Sequence, residues 1–157
     1  MQSQTVRSQA NRSDAVILCV DDDDVILDII RLTLEKNGFS VVTANNWRSA
    51  LESFKSNLID LVMLDYEMPG MKGHEIALWL RSVNPAVPII LHSGSSNIPD
   101  IAAQTVDAFL PKGIETHILV AAISNLIMKS RMAGSRALPL AFSRPNHKTA
   151  RDLSSKQ

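Results

Sequence analysis

The sequence predicts an α/β protein built on a parallel sheet with helices on both faces. Three observations carry that expectation. Short apolar or β-branched runs alternate strictly with stretches whose apolar residues recur at helical spacing, in the order βαβαβαβαβα. The first run, Val16 to Val20, is apolar throughout, as a strand buried on both faces must be. The chain of 157 residues is 45% apolar, enough for a real core.

The elements follow in order. After the first strand come four consecutive aspartates, Asp21 to Asp24. "VILDIIRLTLEKNG" then places Ile26, Ile29, Ile30 and Leu34 at helical spacing, and Gly38 marks the helix end. "FSVVTA" is β-branched and reads as strand two. "NWRSALESFKSN" is an amphipathic helix with Trp47, Leu51 and Phe54 on one face. "IDLVMLD" is strand three, and the Pro and Gly of "EMPGMKG" make the next segment a loop. "HEIALWLRSV" is helix three, stopped before Pro85. "VPIILHS" is strand four, "NIPDIAAQ" a short helix, "VDAFLPK" strand five, and "IETHILVAAISNLIMKS" a long closing helix.

The expected domains are an N-terminal extension over residues 1–14, a globular unit over 15–131 and a basic tail over 132–157. Both ends read as disordered, being polar or aperiodic. The formal net charge of +0 hides a split. From Lys129 onward seven basic residues face one acid, a net +6, which leaves −6 on residues 1–128. No apolar run approaches the ~18 residues of a membrane span, and the N-terminus has no hydrophobic signal core. Cys19 is the only cysteine, so an internal disulfide is impossible. Lying inside an apolar run, it reads as a small buried hydrophobe. A cytoplasmic location fits.

In an open parallel sheet, ligands bind outside the carboxyl ends of the strands. Strand one ends in Asp21 and Asp22, strand three in Asp65, strand four in Ser93 and strand five in Lys112. Three carboxylates, a hydroxyl and an ammonium would meet on one rim. Crowded carboxylates are costly unless a cation neutralises them. A hard divalent ion does so, and Mg²⁺ typically uses one or two carboxylates, waters and a phosphate. Such a rim is poised for a phosphoryl group, whose charge the metal and Lys112 would share while Ser93 donates a hydrogen bond. No serine or cysteine nucleophile with a partner base is evident, which leaves a carboxylate as the candidate.

"ILCVDDDDVILDIIRLTLEKNGFSVVTANN", "DLVMLDYEMPGMKGHE", "VPIILHSG" and "DAFLPKG" resemble the receiver domain of two-component response regulators, over roughly residues 15–130. The resemblance implies a flavodoxin-like, doubly wound (βα)5 fold with a five-stranded parallel sheet. It implies phosphorylation on an aspartate by a sensor histidine kinase or phosphotransfer protein, dependent on Mg²⁺ or Mn²⁺. Residue by residue, Asp65 would be the phosphoacceptor. Asp21 and Asp22 would be the acidic pair holding the metal, with Asp22 favoured as direct ligand and the Glu67 backbone carbonyl adding another. Ser93 would be the switch hydroxyl, Lys112 the phosphate-pairing lysine and Phe109 the switch aromatic. The sequence departs from the family pattern in four ways. Gly113 replaces the usual proline after the lysine, so a trans bond is expected. Phe109 replaces the frequent tyrosine. The Ser93 to Lys112 segment is short by about one helical turn, which implies a stunted fourth helix. No output domain is expected after the globular unit.

Other readings compete. Asp23 and Asp24 suit a helix start, where acids complement the macrodipole. An EF-hand fails, lacking glycine at the sixth position and glutamate at the twelfth. His74 and His92 lack metal spacing and read as packing or surface residues. Phe109 could be a plain core aromatic. The leading function is a single-domain response regulator, a phosphorylation-controlled module that is not an enzyme beyond its own phosphotransfer and hydrolysis. It would signal to a downstream protein through the face of helix four, strand five and helix five, and homodimerisation on phosphorylation is left open. A phosphorylation-independent pseudo-receiver is opposed by the intact acid, serine and lysine set. A phosphatase with an aspartate nucleophile is opposed by Tyr66 and Glu67 where D-x-D is needed. Nucleic-acid binding through the tail lacks a supporting motif.

Overall fold

Residues 14–95 and 97–136 are described in the computed structural model of the protein. Five parallel strands pair in the order β2-β1-β3-β4-β5. They are β1 (Val16–Val20), β2 (Ser40–Ala44), β3 (Leu61–Leu64), β4 (Ile89–Ser93) and β5 (Ala108–Pro111). The helices between and after them are α1 (Asp24–Lys36), α2 (Trp47–Ser56), α3 (Gly73–Val83), α4 (Asp100–Thr105) and α5 (Thr116–Arg136). The chain winds outward from β1 to β2, then returns to place β3 on the other side of β1. That reversal opens a crevice at the carboxyl ends of β1 and β3, the switch point of this topology.

Side-chain alternation along the strands divides the interior in two. Ile17, Cys19, Leu61, Met63 and Ile90 pack with Leu27, Ile30 and Leu34 of α1 and Leu119, Ile123 and Ile127 of α5. Leu18, Val20, Val62, Leu64, Ile89 and Leu91 pack on the opposite face with Ala50 and Phe54 of α2, Ile76, Ala77 and Leu80 of α3, and Ala102 of α4. Each fully buried leucine or isoleucine contributes roughly 1.5–3 kcal/mol, so both layers hold the strand ends, and thus the crevice, in fixed register.

The phase of α1 differs from the sequence expectation. Leu27, Ile30 and Leu34 are buried, whereas Ile29 is 56% exposed. The near-continuous apolar run allows several helical faces. Asp23 fixes where α1 starts, accepting hydrogen bonds from the Val25 and Ile26 backbone N–H groups at 2.9 and 3.3 Å, and packing on the sheet selects the buried face. The stunted α4 is present, at 6 residues. Below it, the Arg81 guanidinium donates to the Pro85 and Val87 carbonyls at 3.0 and 2.8 Å and pairs with Asp107. Asp107 also accepts from the Ile89 N–H at 2.7 Å. One arginine thus ties α3, the approach to β4 and the start of β5.

Helix α5 runs on to Arg136, past the boundary expected at residue 131. Ser130 hydrogen-bonds the Ala86 carbonyl at 2.9 Å and Arg131 pairs with Asp60 at 3.2 Å. These tertiary contacts extend the helix into a stretch that shows little apolar periodicity. The expectations for residues 1–13 and 137–157 lie outside the described residues. No described helix is long and apolar enough to cross a membrane.

Candidate functional site

Strand register builds the site. Val20 pairs with Leu64, and the Asp65 N–H donates to the Val20 carbonyl at 2.8 Å, so Asp21 and Asp65 emerge side by side. Across β4, Ser93 pairs with Pro111, and the Lys112 N–H donates to the Ser93 carbonyl at 2.9 Å. Four of the predicted residues are thereby gathered by backbone pairing alone. Asp21, Asp65 and Ser93 are buried, at 3%, 6% and 2% exposure, while Asp22 is exposed at the mouth.

The Lys112 ammonium bridges the crevice, 2.6 Å from Asp21 and 3.4 Å from Asp65. Asp21, Asp22 and Asp65 each present a carboxylate oxygen, all within 4.8 Å of one another. Three acids against one ammonium leave a net negative pocket. Such a set of hard oxygen donors fits a small divalent cation.

Burial pushes the Asp65 carboxyl above the ordinary aspartate range. Lys112 pulls it back down, and Asp21 raises it further. Burial opposes the charged form of Lys112, but Asp21 and Asp65 outweigh it and hold its pKa above the usual lysine value. The lysine therefore stays charged while one acid resists ionisation, as expected for unequal numbers of opposite charges in one cleft.

The other singled-out residues fall into place around this centre. Asp21 also accepts from the Asp23 N–H at 3.0 Å, fixing the turn into α1. The Glu67 side chain is exposed, two residues past Asp65. Ser93 Oγ accepts from the Ser95 N–H at 3.2 Å, leaving its own proton free to donate. Phe109 is 38% exposed on β5, which removes it from the core and rules against the plain core-aromatic reading. Gly113 follows Lys112 at φ +86°, and the peptide bond is trans as expected. His74 stacks on Tyr66 with ring centroids 5.8 Å apart, and His92 is buried at 7% exposure. Neither histidine joins the acid cluster.

Sequence reasoning missed Gly73. A Cβ there would lie 2.4 Å from the Asp65 carbonyl oxygen, so only glycine lets α3 begin directly against the backbone of the central acid. The glycine in "MKGHE" was the available signal, but it read simply as part of a turn.

Fold and site define a flavodoxin-like α/β protein with an acidic, lysine-bridged crevice at its carboxyl edge. Residues 17–124 match the family described as response regulator receiver domain, and the chain belongs to that family. The transcriptional regulatory protein GlrR of Escherichia coli (strain K12) is 34% identical over 122 residues, covering 76% of this chain and 28% of GlrR. CseB of Streptomyces coelicolor is 31% identical, over 75% of this chain and 51% of its own length. The autoinducer 1 sensor kinase/phosphatase LuxN of Vibrio harveyi is 30% identical, over 78% of this chain and 15% of LuxN. The chain thus spans about half or less of these relatives.

Among solved structures, the response regulator TrrA of Thermotoga maritima, in complex with Mg²⁺ and BeF, is 33% identical with a TM-score of 0.68. That match covers 71% of this chain and 98% of TrrA. A CheY-like receiver domain protein from Methanospirillum hungatei has a TM-score of 0.73 at 25% identity, over 78% of this chain and all 100% of that one.

Proposed function

We propose that this receiver domain takes a phosphoryl group onto Asp65 from a phosphohistidine of a sensor kinase or phosphotransfer protein, with Mg²⁺ or Mn²⁺ bound, and passes the signal to a protein partner. The observation that carries this reading is the Lys112 ammonium set between Asp21 and Asp65, with the oxygens of three acids within 4.8 Å.

A carboxylate oxygen of Asp65 attacks the phosphorus, and the phosphorus–nitrogen bond to the donor imidazole breaks. The imidazole leaves with the bonding pair, and an acyl phosphate remains on Asp65. Lys112 then exchanges part of its hold on the carboxylates for a phosphoryl oxygen. Ser93 donates the proton that its bond from Ser95 leaves free. Asp21, Asp22, Asp65 and the Glu67 carbonyl would hold the cation, which supplies charge neutralisation at the transferred group. Phe109, half out of β5, would follow Ser93 as the mobile aromatic.

In this reading the domain acts as a cytoplasmic regulator through its own α4–β5–α5 face. Its chemistry is confined to its own phosphorylation and dephosphorylation. TrrA, solved with Mg²⁺ and BeF, supports the metal and phosphoryl assignment by similarity. The test is incubation with acetyl phosphate and Mg²⁺, followed by a phosphate-affinity gel. A retarded band that is absent in chelator supports the reading. An unshifted band in both lanes would make the domain a phosphorylation-independent binding module.

A further inference from the structure

Strand pairing of β1 with β3 ends at Val20 and Leu64. The Asp21 and Asp65 N–H groups extend the ladder by one residue, bonding the Ala44 and Val20 carbonyls at 3.2 and 2.8 Å. The other two groups assigned to the cation lie beyond it. Asp22 stands in the turn before α1, and Glu67 in the loop between β3 and α3. Sheet register does not fix the position of either, so contacts between loops must.

The short loop between β2 and α2 touches both sides. Toward α1, the Asn45 side-chain amide donates to the Asp24 carboxylate at 3.1 Å. Asn45 Oδ1 accepts from the Asn46 amide at 2.9 Å. Asn46 Oδ1 in turn accepts from the Ser49 N–H at 2.9 Å and caps α2. Toward α3, Trp47 opens α2 and lays the edge of its indole along Gly70. A Cβ built on Gly70 would lie 3.6 Å from Trp47 Nε1 and 3.9 Å from Cδ1. Gly70 holds φ +83°, a left-handed backbone that glycine adopts without strain, so the β3–α3 loop turns against the ring. Trp47 is itself anchored. It packs on the core layer of α2 and α3, and the Arg48 guanidinium lies 5.0 Å from the ring centroid.

Asn45, Asn46, Trp47 and Gly70 carry no charge, so they act on a cation only through the position of its ligands. Mg²⁺ demands near-ideal octahedral geometry, whereas the larger Ca²⁺ accepts an irregular shell. A small displacement of one ligand therefore costs Mg²⁺ more than Ca²⁺.

Taking the crevice as a Mg²⁺ site, as proposed, we infer that Asn45 and Trp47 are positioning residues for it. They form a brace from Asp24 through Asn45, Asn46 and Trp47 to Gly70. The brace sets the spacing of the loops that carry Asp22 and the Glu67 carbonyl, and so favours Mg²⁺ over Ca²⁺.

The test is calorimetric titration of the full chain with Mg²⁺ alone and with Ca²⁺ alone, on variants shown to be folded by circular dichroism. Asn45→Ala should weaken Mg²⁺ binding about threefold, toward the weak end for a hydrogen bond because the pair is exposed. Ca²⁺ affinity should stay within about 1.5-fold of native. Trp47→Ala should show the same selective loss, and Trp47→Phe, which keeps an aromatic edge against Gly70, should recover most of it. Asn45 is exposed, so Asn45→Ala keeps the test open even where Trp47→Ala does not fold. Since both residues are links of one brace, the double variant should bind Mg²⁺ no more weakly than Trp47→Ala. In Trp79→Phe, which leaves Trp47 as the only tryptophan, Mg²⁺ should change the indole emission with the calorimetric midpoint. Equal losses for the two cations, additive losses in the double variant, a Trp47→Phe no better than Trp47→Ala, or a silent indole overturns the brace. Native Mg²⁺ affinity in Asn45→Ala and Trp47→Ala also overturns it and leaves the metal reading intact. No saturable Mg²⁺ binding by the native chain overturns the metal reading and the brace together.

Discussion

Replacing Asp65 with asparagine should stabilise the metal-free protein while removing its phosphoacceptor. Asp65 is 6% exposed, with Lys112 at 3.4 Å and an Asp21 oxygen within 4.8 Å. At the effective dielectric suited to such sites, the lysine contributes about 5 kcal/mol of attraction and Asp21 at least about 3.5 kcal/mol of repulsion. The remaining attraction, at most about 1.5 kcal/mol, does not offset the several kcal/mol needed to desolvate a carboxylate. That balance agrees with the raised pKa of Asp65, whose first cause is burial. Asparagine keeps the shape and escapes the charge penalty but attracts Lys112 more weakly. A net gain of about 1–2 kcal/mol follows, or about 3–6 °C in melting temperature for a domain of this size. The pH dependence has a definite sign. Because the folded pKa lies above the unfolded one, the native carboxyl favours folding when protonated and loses that contribution as pH rises through the folded value. The advantage of Asp65→Asn is therefore largest near pH 7 and vanishes below about pH 4. Thermal and urea unfolding of both proteins in chelator, at pH 7 and in acid, measures it. An asparagine variant no more stable at pH 7, or an advantage that grows toward acid, would refute the reasoning.

Asp22→Ala should weaken Mg²⁺ binding at least about tenfold, since Mg²⁺ typically relies on only one or two carboxylates; calorimetric titration reads it, and unchanged affinity removes Asp22 from the metal site. Glu67→Gln should change the lifetime of the phosphorylated state severalfold, because the exposed carboxylate stands at the mouth of the crevice; decay of the labelled protein after donor removal measures it, and an unaltered rate discards the role. Amide exchange with and without beryllofluoride should concentrate its changes in residues 93–115, whereas changes confined to α1 would place the output face elsewhere. Deleting residues 137–157 should leave Mg²⁺ affinity, phosphorylation and melting temperature within error of the full chain, because the crevice and both core layers are built within residues 14–136.

Much of the site was legible because its residues sit at strand ends, where a period of two and an abrupt change from apolar to acidic leave little freedom. "LVMLD" could place Asp65 nowhere but the rim once β3 was recognised. The phase of α1 was not legible, since "VILDII" offers several apolar faces and only packing on the sheet selects Leu27 over Ile29. Gly73 escaped for a related reason: a glycine kept because a Cβ would lie 2.4 Å from the Asp65 carbonyl oxygen looks in sequence like one that permits a turn. The length of α5 depended on ties to Ala86 and Asp60, which are contacts between distant segments that no local pattern encodes. His92 read correctly as a packing residue, but its place between two cavities required the register of β4 against β5.

If Asp65 is the residue that accepts the phosphoryl group, the modification must map to it alone. Intact-mass and peptide-mapping mass spectrometry after treatment with acetyl phosphate and Mg²⁺ tests it most directly. The expected result is the mass of one added phosphoryl group, confined to the peptide containing Asp65 and absent from Asp65→Asn. A phosphoryl group on any other peptide, or undiminished labelling of Asp65→Asn, would contradict it.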